Sequence, residues 1–311
     1  MALTVGEYLK SKYGCKVYRI ALDGGFTCPN RDGKISTGGC IFCSAGGSGD
    51  FAESRELSIS EQIEKGKERV AGKIKDGKYI AYFQAFTNTY APVSKLRSLF
   101  TEAINHPDIV GLSIATRPDC LPEDVLDLLD ELNRIKPVWV ELGLQTIHER
   151  TAEYIRRGYP LAVYDRAVSE LKKRNISFIT HVILGLPGER CEDMEETVRY
   201  VCGLSGAEKR ADYKEQRSDD KAITADPNGI KLQLLHVLKG TDLAKDYEAG
   251  KFTVLSEDEY VSLLERILNI IPDSVIIHRL TGDGPKKDLI APPWSADKKH
   301  VLNRINRILA R

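Results

Sequence analysis

The sequence predicts an α/β protein built on a parallel sheet, and three observations carry that reading. Apolar runs of strand length alternate with helical stretches through most of the 311 residues, and repeated strand–helix units enforce parallel pairing with right-handed crossovers. The runs are continuously apolar rather than alternating, as a sheet covered on both faces requires. There are six such units, two short of a complete eightfold barrel. That count points to an open, partial barrel, with a doubly wound sheet as the other arrangement it allows.

The elements follow in order. MALTVGEYLKSKYG reads as an amphipathic helix and not as a signal peptide, having neither an apolar core segment nor a small-residue cleavage site. Strands are expected at KVYRIAL, KYIAYFQAF, IVGLSIAT, VWVELGL, ISFITHVILGL and GIKLQLLHVL, with VIIHRL as a candidate seventh. Helices fall between them. Ser58 with Glu61 and Ser256 with Glu259 have capping-box spacing, in which the hydroxyl accepts from an amide of the first turn and the carboxylate reaches back. Pro122 suits the first turn of the helix in LPEDVLDLLDELNR.

The first strand runs into GFTCPNRDGKISTGGCIFCSAGGSGDF, which carries Cys28, Cys40 and Cys43. Cys40 and Cys43 form a CxxC, a spacing found in zinc sites, redox dithiols and iron–sulfur sites. A redox dithiol would not need Cys28. A structural zinc site needs a fourth ligand, and no His or further Cys lies within a few residues of the loop. Three thiolates with one open position favour an iron–sulfur cluster, zinc being the alternative. The flanking Gly24, Gly25, Gly38, Gly39, Gly46, Gly47 and Gly49 allow close backbone approach to a bulky ligand, although a flexible loop would be as rich in glycine. In a barrel of this kind the loop after the first strand sits at the mouth where chemistry is done.

Composition places the chain among ordinary globular proteins, with 42% hydrophobic and 29% charged residues. No apolar run approaches a membrane span. Seven cysteines without disulfide-like spacing point to a reducing, cytoplasmic setting. Formal net charge is zero, which excludes a whole-protein basic field. From Arg279 to Arg311, however, eight Lys/Arg stand against three Asp. Such a segment either tracks a phosphate backbone or is a solvated terminal helix.

The cysteine loop, the strand-end strings and RLTGDGPKKDLIAPPWS near the end together resemble the radical S-adenosylmethionine (SAM) superfamily. The resemblance is to its YtqA/YhcC-type branch, related to the radical SAM domain of the Elongator catalytic subunit. That branch has a longer first gap than the usual CxxxCxxC; here eleven residues separate Cys28 from Cys40 and two separate Cys40 from Cys43. The resemblance implies a partial (β/α)6 TIM-like barrel with a C-terminal extension. Residues 1–280 would form the barrel, including the N-terminal helix, and 281–311 a basic helical extension packed on it. The polar stretch 205–229 is longer than the turn in relatives and reads as an insertion, either closing over a substrate or a surface excursion without a role.

The resemblance further implies that Cys28, Cys40 and Cys43 hold a [4Fe–4S] cluster whose free iron is chelated by SAM. An electron from a flavodoxin- or ferredoxin-type donor would then cleave SAM to methionine and a 5′-deoxyadenosyl radical that takes hydrogen from substrate. Gln145 stands where relatives bind the SAM ribose. Glu141 shares a strand face with Gly143 and Gln145 by parity. Arg157 stands where relatives pair with the SAM carboxylate. Thr87 and Asn88, in QAFTNTY, replace a glycine-rich loop for the SAM amine, and Gly185 would bring backbone close to adenine. Where several relatives carry Glu, this chain has Ala115, so that contact is missing or is supplied by Thr116 or Arg117. His181 and His236 are each either substrate-pocket residues (His181 also a SAM contact) or satisfied core histidines. Cys120, Cys191 and Cys202 read as small buried hydrophobes. The implied substrate is the wobble uridine of tRNA, its carboxymethylaminomethyl side chain converted towards aminomethyl. A small-molecule radical SAM enzyme and a non-catalytic zinc or RNA-binding protein are the alternatives. No membrane partner is expected.

Overall fold

A computed structural model describes residues 3–47, 49, 52–73, 77–204, 228–282, 284 and 286–309. In chain order its main elements are α1 (Val5–Tyr13), β1 (Val17–Leu22), α2 (Ile59–Val70), β2 (Lys78–Phe83), α3 (Val93–Asn105), β3 (Ile109–Thr116), α4 (Glu123–Asn133), β4 (Val138–Gln145), α5 (Glu149–Tyr154), α6 (Leu161–Lys173), β5 (Ser177–Leu184), α7 (Cys191–Val201), β6 (Gly229–Leu234), β7 (Val237–Leu238), α8 (Asp242–Glu248), α9 (Glu257–Leu268), β8 (Ile276–Arg279), β9 (Leu289–Ala291) and α10 (Lys298–Leu309).

Seven strands form one sheet in the order β1-β2-β3-β4-β5-β6-β8, every neighbouring pair parallel. VIIHRL is thus the seventh strand. The sheet curls into a partial barrel, and its two edges come together low in the structure: Arg19 Nη2 on β1 lies 2.5 Å from His278 Nδ1 on β8. The N-terminal segment covers the same gap, since the amide of Ile277 donates to the Leu3 carbonyl at 2.9 Å. An edge strand left open would be a template for unwanted pairing; here chain and helix cover it.

Local sequence explains the helix starts. Both expected capping boxes form, at Ser58/Glu61 and Ser256/Glu259, and Thr4/Glu7 adds a third. Pro122 takes the cap of α4, one place before the first helical residue. Helices α2, α3, α4 and α6 bury apolar faces against one side of the barrel wall, with Ile63, Leu96, Phe100, Leu129 and Leu171 fully buried. Helices α7, α9 and α10 cover the remainder through Val198, Leu264, Val301 and Ile305.

GIKLQLLHVL, expected as one strand, divides in two. Its first part is β6; Val237 and Leu238 leave the sheet as β7 and pair antiparallel with β9. Residues 205–227, most of the expected insertion at 205–229, lie outside the described residues, while Gly229 opens β6. Among the described residues no helix is long and apolar enough to cross a membrane.

Candidate functional site

A cavity of about 220 Å³ opens at the C-terminal ends of the strands, and Cys28, Cys40 and Cys43 all line it. The loop that carries them is built by side chain to main chain bonds. Arg31 Nη2 donates to the carbonyls of Cys43 (3.1 Å) and Ser44 (2.6 Å), closing the loop on itself. Asn30 Nδ2 donates to the Arg156 carbonyl at 2.8 Å and lies 3.5 Å from Cys40 Sγ, tying the loop to the chain after α5. Gly47 has φ +56 and presses on Phe86, whose amide donates to its carbonyl at 2.9 Å. A Cβ at Gly47 would lie 2.4 Å from Phe86 Cδ1. Gly47→Ala therefore meets both the left-handed penalty, about 1–2 kcal/mol, and a ring it cannot displace. We expect it to lower the iron retained after anaerobic reconstitution. The helical Gly6→Ala, with nothing within 4 Å, leaves iron content unchanged.

The donor set fits a cluster with an open position. Burial pushes the Cys40 thiol up to about 11, and the neighbouring Cys43 and Cys28 push in the same direction. Three crowded thiolates repel one another, and iron bound among them turns that crowding into coordination. Arg117 stands on the same side, gripped by Asp119 through Nε (2.9 Å) and Nη2 (2.7 Å), so a fixed positive charge borders the thiols.

The other expected site residues divide into groups. Thr87, Thr116, Arg117, Glu141, Gln145, Arg157 and His181 line the cavity with the cysteines. Gln145 reaches it through a register shift at the end of β4, in a left-handed conformation of φ +72. Such bulges re-aim side chains near functional sites. Its Oε1 is buried with no hydrogen-bond partner among the described residues, an acceptor held ready for a ligand hydroxyl.

Arg157, expected beside the SAM carboxylate, lines the cavity with its guanidinium engaged by the protein. It is 2% exposed and donates to the carbonyls of Thr146 (2.6 Å), Tyr159 (2.9 Å) and Leu144 (3.4 Å), with Glu149 at 3.2 Å. Main-chain acceptors have taken its fork, so it fixes the turn after β4. Asn88, Gly185 and His236 are not among the residues lining the cavity. Asn88 Nδ2 donates to the Ala115 carbonyl at 2.7 Å. Gly185 packs on Leu255, and its amide faces Met194 Sδ at 3.0 Å. The His236 imidazole packs beneath Gly282 and Gly284. Asp283, beside them, lies outside the described residues.

Below the cysteines the sequence had concealed a network. Glu141 accepts from Ser113 Oγ (2.6 Å), Tyr82 Oη (2.8 Å), His181 Nε2 (2.8 Å) and Lys231 Nζ, with Arg19 Nη1 at 3.6 Å. Its oxygens are saturated by the protein, so it does not grip a ligand as expected; it organises the cavity floor. Burial alone would raise its pKa, but Lys231, the His181 hydrogen bond and Arg19 outweigh burial and hold it well below the ordinary range. Gln233 Nε2 lies 3.1 Å from His181 Nδ1. A carboxylate on one nitrogen and an amide donor on the other set the neutral Nε2–H tautomer. Burial pushes His181 down to about 4, in keeping with that form. Lys231 was detectable as a lone lysine in the apolar run GIKLQLL, although its partners on other strands were not.

Comparison with known proteins agrees with this geometry. The chain matches the Radical SAM superfamily over residues 31–201 and the Radical_SAM C-terminal domain over residues 227–311. It is 49% identical to the uncharacterized protein YtqA of Bacillus subtilis, over 98% of this chain and 88% of that protein. It is 25% identical to a tRNA uridine(34) acetyltransferase of Methanocaldococcus jannaschii, over 57% of this chain and 29% of that protein. In fold it is similar to the archaeal Elp3 of Methanocaldococcus infernus, with a TM-score of 0.65 and 17% identity, covering 95% of this chain and 64% of that one.

Proposed function

The chain belongs to the radical SAM superfamily, in the branch of YtqA that is related to Elp3, and on that premise we propose that it acts on the wobble uridine of tRNA, converting a carboxymethylaminomethyl side chain towards aminomethyl. The observation that carries the radical chemistry is that three thiols of one loop and the ends of strands β2 to β6 line one cavity. The choice of tRNA draws support from the likeness to a tRNA uridine(34) acetyltransferase.

In this reading Cys28, Cys40 and Cys43 hold a [4Fe–4S] cluster and leave one iron for SAM. Bound together, cluster and SAM supply a carbon radical able to take hydrogen from an unactivated C–H, given one electron from a flavodoxin- or ferredoxin-type donor. The protein holds and orients. Gln145 Oε1 accepts from a ribose hydroxyl of SAM. Thr87 and Thr116 offer hydroxyls at the mouth, and Arg117 sets a positive charge beside the cysteines. His181, neutral and fixed at both nitrogens, presents its ring edge to the substrate without exchanging protons.

The basic C-terminal segment supports contact with an RNA backbone. Lys286, Lys287, Lys299 and Arg307 are exposed; Arg304 is bonded to Asp258 (2.8 Å) and Glu257 (3.1 Å) and serves to pack α10.

Mass spectrometry of tRNA nucleosides from cells with and without the protein tests the substrate. Loss should make carboxymethylaminomethyluridine accumulate and its aminomethyl derivatives disappear. An unchanged nucleoside profile overturns the tRNA assignment and moves the search to small metabolites.

A further inference from the structure

We propose that Gln233 reads the imide edge of the substrate base, its carboxamide oxygen accepting from the N3–H of uracil, and that Glu141 and His181 fix which way that carboxamide faces. The inference deepens the tRNA reading and rests on it for the identity of the base, though not for the oriented acceptor itself.

Orientation passes along three side chains. Glu141 is an ionised carboxylate and can only accept, so the hydrogen of its 2.8 Å bond to His181 lies on Nε2. Burial keeps the His181 ring neutral, its pKa down at about 4. Nδ1 is then an acceptor, and the carboxamide atom 3.1 Å from it is the Nε2 donor of Gln233. Turned the other way, the amide would set oxygen against a lone pair. That leaves Oε1 as the second arm of a side chain that lines the cavity, and no hydrogen bond to a described residue engages it.

Position separates this acceptor from the SAM site. Gln233 lies two residues beyond Lys231 on β6 and shares its face, about 7 Å nearer the mouth at roughly 3.3 Å per residue. Gln145, whose Oε1 awaits the SAM ribose, ends β4, and β5 stands between β4 and β6. Two strand spacings put the acceptors on the order of 10 Å apart across the sheet. One serves the sugar of SAM and the other a second ligand beside it.

The donor chemistry decides the ligand class. Gln84, Gln145 and Gln233 all line the cavity. Neutral carboxamides match the N–H and C=O edges of a nucleobase. Uracil presents N3–H between two carbonyls, whereas cytosine has a bare N3 in that place, which an oxygen repels. A free carboxamide turns to suit either base. One held by His181 accepts uracil as it stands and must break its own bond to take cytosine.

The test is equilibrium binding of anticodon stem-loop RNAs that differ only in uridine or cytidine at the wobble position. The protein is reconstituted, loaded with SAM and kept anaerobic, and the free nucleosides are measured in parallel. The wild type should prefer the uridine RNA by about 10- to 100-fold, the discrimination of one good base contact. Gln233→Met should erase the preference by weakening the uridine RNA. His181→Leu releases the amide and should erase it in the opposite way, by strengthening the cytidine RNA, which a merely damaged pocket would not do. Unchanged SAM affinity shows both variants folded. Equal binding or a cytidine preference in the wild type, or a uridine preference that survives Gln233→Met, overturns the proposal and leaves the tRNA reading standing. A His181→Leu protein that gains nothing towards cytidine overturns the orienting role. A Gln233→Met protein that loses SAM affinity in place of the uridine preference assigns the oxygen to adenine and overturns the proposal. If neither RNA binds but free uridine is preferred to cytidine in a Gln233-dependent way, the site stands and the tRNA reading falls. If neither the RNAs nor the nucleosides bind, the site falls.

Discussion

Replacing Glu141 with alanine should cost about 3–5 kcal/mol of folding stability, because it strands buried cations rather than removing a contact. Lys231 and Glu141 are each 1% exposed. Tyr82, Ser113 and His181 lose their common acceptor in the same step. At roughly 2–4 °C per kcal/mol for a chain of this size, the melting temperature should fall by on the order of 10 °C. Glu141→Gln keeps the shape and removes the charge, so its loss should be smaller. Combining it with Lys231→Met should recover part of the stability, since an apolar pair needs no compensation. A double variant no more stable than Glu141→Gln alone would show that the pair does not carry the energy. The pH dependence has a definite sign. The folded carboxyl lies well below its ordinary value of 4.5, so its contribution is complete above that pH. It is lost as pH falls through the folded value. The gap between wild type and Glu141→Ala should therefore be widest at neutral pH and narrow in acid.

That network also marks where sequence reading ends. The strands were legible because a parallel sheet covered on both faces leaves long apolar runs. The capping boxes were legible because their partners are three residues apart. The cysteine loop was legible because three thiols among glycines serve few purposes other than coordination. By contrast, Lys231 meets Glu141 across ninety positions of sequence, and only barrel register determines that pairing. Arg157 was recognisable as an arginine at a strand end, but not that three carbonyls would take its guanidinium. The division of GIKLQLLHVL was hidden for the same reason, because β7 is defined by its partner β9 some fifty residues on. Gln145 shows a mixed case: parity placed it on the cavity face with Glu141, but the route is a bulge, which no alternation rule describes.

Cys40→Ala should abolish both iron–sulfur content and reductive cleavage of SAM, to the level of a control without protein. Two ligands on a CxxC and one from Cys28 make three bonds to a cluster whose remaining iron must stay open. Losing one leaves too few thiolates to retain it. At Cys40 burial opposes ionisation, and Asn30 Nδ2 lies 3.5 Å from its sulfur. The loop should otherwise survive, because Arg31 and Asn30 hold it through main-chain carbonyls that the substitution leaves in place. Unchanged circular dichroism then separates loss of the cluster from loss of the fold. Cys120→Ala and Cys202→Ala are the controls. Burial pushes both thiols up to about 12, neither lines the cavity with the three cysteines, and both variants should keep full iron content and SAM cleavage. A Cys40→Ala protein that still binds iron in wild-type amount would remove Cys40 from the ligand set. Loss of iron in Cys120→Ala would bring a fourth thiol into it, closing the position that SAM requires.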